Sequence, residues 1–393
     1  MREYRPSGGY GPYSVDGRKL PPRGRDGRPA YPARASRQLR HAGFPGPVIR
    51  RYASALGISG RRERCGGGGG ISALPDRCRL LRSRRRGIAD IDAGDASLSG
   101  DDGAQQRGAV HPQAGTSMAG GGTLMRWMIR SDMEGVTGVV SMEQVVPGAA
   151  EYAFGKWMLM HDLQALLAGL LQEEDDEVVI YDIHFAGRNI DPDRLDRRVQ
   201  VIAGKPHYGV ANAGWLSGRF DGMILQGLHA RAGTPNALLA HNYEHDIVRM
   251  ELNGEPIGEI GLEAAIAGEA GVPLAMVTGD SEGAREAREL MAGVITVSVK
   301  ESLGPASALC YPSEWTGRYL TEGALMCREL AAQGSMAPYR IQGPVELMMQ
   351  FKPGELLSRL QLRLRECFVD PETLRLTGAS VLEAWEIYLK AKD

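Results

Sequence analysis

The sequence predicts an α/β fold: a largely parallel central sheet flanked by helices, a smaller C-terminal α+β portion, and a disordered N-terminal third. Three observations carry this. Strand-like and helix-like segments alternate from Met125 onward, which is the pattern of βαβ units. An Asn253-Gly254 pair between two alternating segments marks one hairpin. Residues 1–124 share neither periodicity nor composition with residues 125–393.

That first stretch holds 22 Lys and Arg against 10 Asp and Glu, a net of +12, whereas residues 125–393 hold 24 and 38, a net of −14. It also contains 24 of the 52 glycines, and segments such as RRERCGGGGG lack the apolar pattern a core requires. Residues 1–124 therefore read either as a disordered Arg/Gly-rich extension or as a start assigned too far upstream, with translation beginning at Met125. The competing reading is a basic arm that neutralises nucleic-acid phosphates, but no aromatic interleaving or binding module accompanies the charge. The five cysteines are odd in number and show no CxxC pairing, so reduced structural thiols are expected. No apolar signal region and no run of about 20 apolar residues is present, so a cytoplasmic protein without a membrane contact is expected.

From Met125 the elements come in order. RWMIRS is a short strand, and GKWMLMHDLQALLAGLLQEEDD, from Gly155, carries apolar residues at helical spacing. DEVVIYDIH (176–184), DGMILQGLH (221–229), VPLAMVTGD (272–280) and GVITVSVK (293–300) are further strands, rich in aliphatic residues. DIVRMELNGEPIGE forms the hairpin; EIGLEAAIAGEAG and SEGAREARELMAG are helices. From about Ala337, PVELMMQF and ASVLEAWEIYLKAK read as a strand and a helix of a small appendage or of the same domain.

Ligands of open α/β sheets bind beyond the carboxyl ends of the strands. Three such ends are polar here: Asp132-Met133-Glu134, Asp182-Ile183-His184, and His229. If the first strand continues through Asp132 and Glu134, their side chains share one side and repel unless a cation intervenes. His184, His229 and, just past the hairpin, Glu259 complete a mixed nitrogen and oxygen set suited to Zn²⁺, with Mn²⁺ or Co²⁺ as substitutes. Five ligands exceed one tetrahedral zinc, and two metals sharing a bridging carboxylate resolve the count. Hydrolysis is the natural use, because metal binding brings the pKa of water toward neutrality. Taken singly, a strand-end Asp or Glu is more often a cap or turn residue than a ligand. A second pattern competes: His241-Asn242-Tyr243-Glu244-His245 matches H-x-x-E-H, which on a helix places both histidines on one face around one zinc, with Glu244 as base. A loop there would separate them. His41 and His111 lie in the low-complexity extension, His161 in the first helix and His207 in a loop beside Pro206.

SDMEGVTG, DIHFAGRNI, GLHARAGTPNALLAH and ELNGEPIGEIGLEAA occur in the order and approximate spacing of the DppA-type zinc D-aminopeptidases, family 55 of the metallopeptidases, which the sequence resembles from Met128 to Ala308 and more loosely to its end. The resemblance implies a dinuclear zinc centre with Asp132 bridging, Glu134 and His184 on one metal, His229 and Glu259 on the other. It makes His241 catalytic rather than a ligand and leaves His245 without a role. It also implies release of an N-terminal residue such as D-Ala from short peptides, and a decameric homo-oligomeric ring enclosing the sites. Two positions depart from the pattern: Glu263 where Asn is expected, and Gly304-Pro305 where Arg is usual.

Overall fold

The structure, a computed structural model, describes residues 124–205, 208–217 and 220–393. The basic extension, with His41 and His111, and also His207, lie outside the described residues. The described elements run β1 (Arg126–Ser131), α1 (Tyr152–Leu170), β2 (Glu177–Asp182), β3 (Val199–Ile202), β4 (Gly222–Leu228), β5 (Ile247–Leu252), β6 (Glu255–Pro256), α2 (Glu259–Glu269), β7 (Leu274–Asp280), α3 (Ser281–Leu290), β8 (Ile295–Gly304), β9 (Ser307–Cys310), α4 (Ser313–Ala332), β10 (Val345–Phe351), α5 (Glu355–Arg363), β11 (Thr373–Gly378) and α6 (Val381–Lys392).

Seven strands form the central sheet in the order β3-β2-β1-β4-β7-β8-β9, parallel except for the edge pair β8-β9. Both faces are covered, which is why these strands read as continuous apolar runs. The period of two sorts them. Trp127, Ile129, Val178, Ile180 and Ile224 enter the core under α1 and α4, while Met128, Val179, Tyr181, Met223 and Leu225 enter the core under α2 and α6. Among the described residues no helix is long and apolar enough to cross a membrane.

The hairpin is present, with Asn253 at φ 52° and Gly254 at φ 84°, the two left-handed residues a type I′ turn needs. Its place differs from a local excursion, however. β5 pairs antiparallel with β10, for example Met250 with Met349, so the hairpin and the C-terminal strands make one second sheet, β11-β10-β5-β6. The C-terminal portion is thus bound to the middle of the chain. α4 was not legible because its buried stripe is short and small, at Thr316, Leu320, Gly323, Ala324 and Cys327. It packs closely on α1 where a Cβ on Gly169 would lie 2.5 Å from the Thr321 carbonyl oxygen.

Close backbone approach also fixes the centre of the sheet: a Cβ on Gly279 in β7 would stand 1.9 Å from the carbonyl oxygen of Leu228, the last residue of β4. Backbone on both sides leaves nothing to yield. Gly279→Ala is therefore expected to cost about 1–3 kcal/mol or more of stability by overpacking, read as a lower midpoint in urea or heat.

Candidate metal centre

The site gathers at the carboxyl ends of β1, β2 and β4 and at the first turn of α2. β1 ends at Ser131, so Asp132 and Glu134 are not aligned by a shared pleat, as continuation of the strand would have required. A turn brings them together instead. The Asp132 N–H still donates to the Gln226 carbonyl at 2.8 Å, and then the Gly135 N–H reaches Gly227 at 2.7 Å while that of Val136 closes back on Met133 at 3.1 Å. Gly227, at φ 73°, passes so near that a Cβ there would be 2.3 Å from the Asp132 carbonyl oxygen.

Lys300 in β8 holds this turn from below. Its fully buried ammonium donates to the carbonyls of Glu134 at 2.6 Å, Val136 at 2.8 Å and Val139 at 2.6 Å. No local pattern in the sequence announces it, since the contact spans more than 160 residues.

The structure brings Asp132, Glu134, His184, His229, Glu259 and His241 together. The first five are all 5% exposed or less. Their ligand atoms fall into two groups, each within 4.8 Å: Asp132, Glu134 and His184, and His229, His241 and Glu259. Asp132 spans both, its Oδ1 2.9 Å from His184 Nδ1 and its Oδ2 3.6 Å from His229 Nε2. His184 Nδ1 also faces Glu134 Oε2 at 3.2 Å, and His229 Nε2 faces Glu259 Oε1 at 3.3 Å. Glu259 opens α2, where the helix dipole favours a carboxylate, and accepts the Tyr243 N–H at 2.6 Å.

Each imidazole has one nitrogen committed to a backbone carbonyl: His184 Nε2 to Val145 at 2.8 Å, His229 Nδ1 to Ala230 at 3.0 Å, and His241 Nδ1 to Leu239 at 2.9 Å. In the neutral ring that fixes the tautomer and turns the other nitrogen's lone pair toward the carboxylates. Lone pair against carboxylate is repulsive, so a proton or a metal ion must lie between. Glu134 Oε2 and His229 Nε2 are indeed buried without a hydrogen-bond partner. The donor set fits Zn²⁺ on these observations.

The electrostatics of these groups express the same demand. Burial and then the neighbouring Glu134 carboxylate push Asp132 up to about 6. Burial pulls His184 down, but Glu134 and Asp132 override it and raise it to about 11. His229 is raised to about 10 against burial by Glu259. Glu134 and Glu259 are lowered, against burial, by the imidazoles facing them.

The H-x-x-E-H segment is not a helix, contrary to what a mononuclear site requires. The loop nevertheless does not separate its histidines: the His241 ring stacks on His245 at 4.4 Å and on His229 at 4.0 Å. Glu244 instead pairs with Lys392. Of the two departures from the family pattern, Glu263 is fully buried, ion-paired with Arg130, and accepts from the Tyr208 and Tyr243 hydroxyls at 2.9 Å each. Pro305 accepts the Leu239 N–H at 3.1 Å, and so supports the residue that orients His241. A cavity of about 470 Å³ opens beside the ligand groups, walled by Tyr181, Tyr208, Tyr243, Glu263 and Trp385.

The Peptidase M55 family, described as D-aminopeptidase, matches residues 125–389. A D-aminopeptidase of Bacillus subtilis (strain 168) is 32% identical over 200 residues, which cover 50% of this chain and 72% of that relative. Among solved structures, a Zn-dependent D-aminopeptidase, DppA from Bacillus subtilis, described as a self-compartmentalizing protease, superposes with a TM-score of 0.62 at 25% identity. It covers 68% of this chain and 98% of its own length.

The geometry makes two outcomes measurable. Lys300→Met removes the donor from three buried carbonyls and is expected to lower stability by roughly 3 kcal/mol in urea denaturation. The metal-free chain should lose stability as pH rises: His184 and His229 have folded values raised to about 11 and about 10, so their contribution is full below about 6.5 and lost as pH passes through those values. A thermal midpoint measured from pH 6 to 10 with and without zinc checks this, because metal replaces those protons and flattens the fall.

Proposed function

The chain belongs to the Peptidase M55 D-aminopeptidase family, and from that premise we propose that it is a dinuclear zinc aminopeptidase releasing the N-terminal residue, D-Ala or another D-amino acid, from short peptides. Residues 125–393 form the peptidase domain, and 1–124 an extension to it. Asp132, Glu134 and His184 would hold one ion, and His229 and Glu259, with Asp132 shared, the other. The observation that carries the reading is the set of imidazoles tied by one nitrogen to backbone and turned by the other toward buried carboxylates.

Zinc, when bound, supplies Lewis acidity and a lowered pKa for water. The protein's own groups do the rest. Val145 and Ala230 hold the ligand rings in register through their carbonyls. His241, with Nδ1 held by Leu239, turns Nε2 toward Glu259 at 3.9 Å at the cavity wall, where it takes up or returns a proton as the peptide bond breaks. The tyrosine and tryptophan wall excludes water from the bound peptide. A closed homo-oligomer, as the self-compartmentalizing relative is described, would limit entry to short peptides.

The test uses the full chain loaded with zinc. Two metals per chain and faster hydrolysis of D-Ala than of L-Ala p-nitroanilide are expected. Asp132→Asn should empty both positions, and two tightly held ions in that variant would exclude a bridging role. His241→Ala should keep both ions and lose about 10²–10⁴ in kcat. Glu244→Gln should stay active with two metals; loss of activity with one metal per chain would favour the mononuclear H-x-x-E-H alternative.

A further inference from the structure

The charged groups lining the cavity are nearly all accounted for. Asp132, Glu134 and Glu259 face the ligand imidazoles. Glu263 is neutralised by Arg130, and Glu244 by Lys392. Asp393 at the cavity wall is likewise partnered. Lys205 is the exception. It lines the same cavity, and among the described residues no ion pair joins it to an acid. Its ammonium donates to the Ile183 carbonyl at 2.6 Å, the residue adjoining His184. One of its three N–H groups is thereby used, and the bond fixes the cation beside the ligand cluster.

A cation held next to a hydrolytic centre, with donors to spare, suits an anionic group on the substrate. A short peptide has one such group at a fixed place. With its scissile carbonyl at the ligand groups, a dipeptide carries its terminal carboxylate roughly 3.5 Å further along, within one residue's span. We propose that Lys205 anchors the C-terminal carboxylate of the substrate, so that the site selects dipeptides with a free C-terminus over longer or blocked chains. The ammonium is a point charge on a flexible stem, which suits a carboxylate presented at varying angle by different second residues. Lys392, already held by Glu244, lends a second positive charge to the same wall. The anchor is specific to carboxylate by charge and indifferent to the leaving residue's side chain. The inference rests on the peptidase reading of the site.

The experiment measures the full-length, zinc-loaded protein on D-Ala-D-Ala and on its C-terminal amide. For the natural chain KM should be about tenfold or more lower for the acid, the size of one charge-assisted hydrogen bond. Lys205→Met should raise KM for the acid to that for the amide, with kcat for both within about twofold, and Lys205→Arg should restore the preference. A purely structural role for Lys205 would move both substrates together, and that result overturns the proposal. Equal KM for acid and amide in the natural chain overturns it too. Hydrolysis of neither substrate by the natural chain instead defeats the peptidase reading, and the anchor falls with it.

Discussion

Three buried carboxylates that cannot coexist without positive charge are the constraint on which the rest depends. Asp132, Glu134 and Glu259 are each 5% exposed or less, and burial and then the nearby Glu134 push the Asp132 carboxyl up to about 6. Water cannot screen them at that depth. The imidazoles can meet the demand in two ways, by taking protons or, as proposed, by ligating metal. Fixing one nitrogen of each ring to a backbone carbonyl makes the second response available without any rotation.

Holding such a cluster takes rigid backbone rather than side-chain packing alone. Three neighbouring parallel strands, β2, β1 and β4, end at one level and deliver His184, Asp132 and His229 to a common point. Lys300 anchors the turn carrying Asp132 and Glu134 through three carbonyls, so that turn is tied to β8 across the sheet. The second sheet has a matching role. Its hairpin leads directly into α2, placing Glu259 at the first turn opposite the strand ends, and α6 packed on it closes the cavity with Trp385.

The fold was legible wherever a segment carried its own period or turn. RWMIRS matches β1, although its expected continuation through Glu134 is a turn, and β7, α3 and the hairpin were found within two or three residues, because aliphatic runs, the Asp280 cap and Asn253-Gly254 act locally. What escaped is non-local or weakly patterned. The pairing of β5 with β10 joins segments about a hundred residues apart, and α4 and β3 have little apolar contrast. At the site, residue types and strand-end positions pointed to Asp132, Glu134, His184 and His229, and the hairpin to Glu259, whereas His241 was singled out by the H-x-x-E-H pattern and the family resemblance. Their supports did not show: Lys300, the Val145 carbonyl and the Tyr243 N–H act through backbone atoms that no residue pattern encodes.

Ring stacking bears on which of the histidines could share an ion. His229 and His241 are inclined by only 14° with centroids 4.0 Å apart, so their ring planes, in which the lone pairs lie, do not meet within a metal–ligand distance. Zinc lies about 2.0–2.1 Å from an imidazole nitrogen along that lone pair. An ion correctly placed for one ring is therefore out of line for the other. His229, whose Nε2 faces both Asp132 and Glu259, has the better claim to ligation, which agrees with the catalytic rather than ligating role proposed for His241. The same reasoning applies to His241 and His245, stacked at 4.4 Å and 27°, and it removes the geometric basis of a His-His-Glu zinc site in this loop. His241, oriented by a backbone carbonyl and open to the cavity, is placed to suit the proton transfer proposed for it. That separation of holding from proton transfer is what a hydrolytic centre needs.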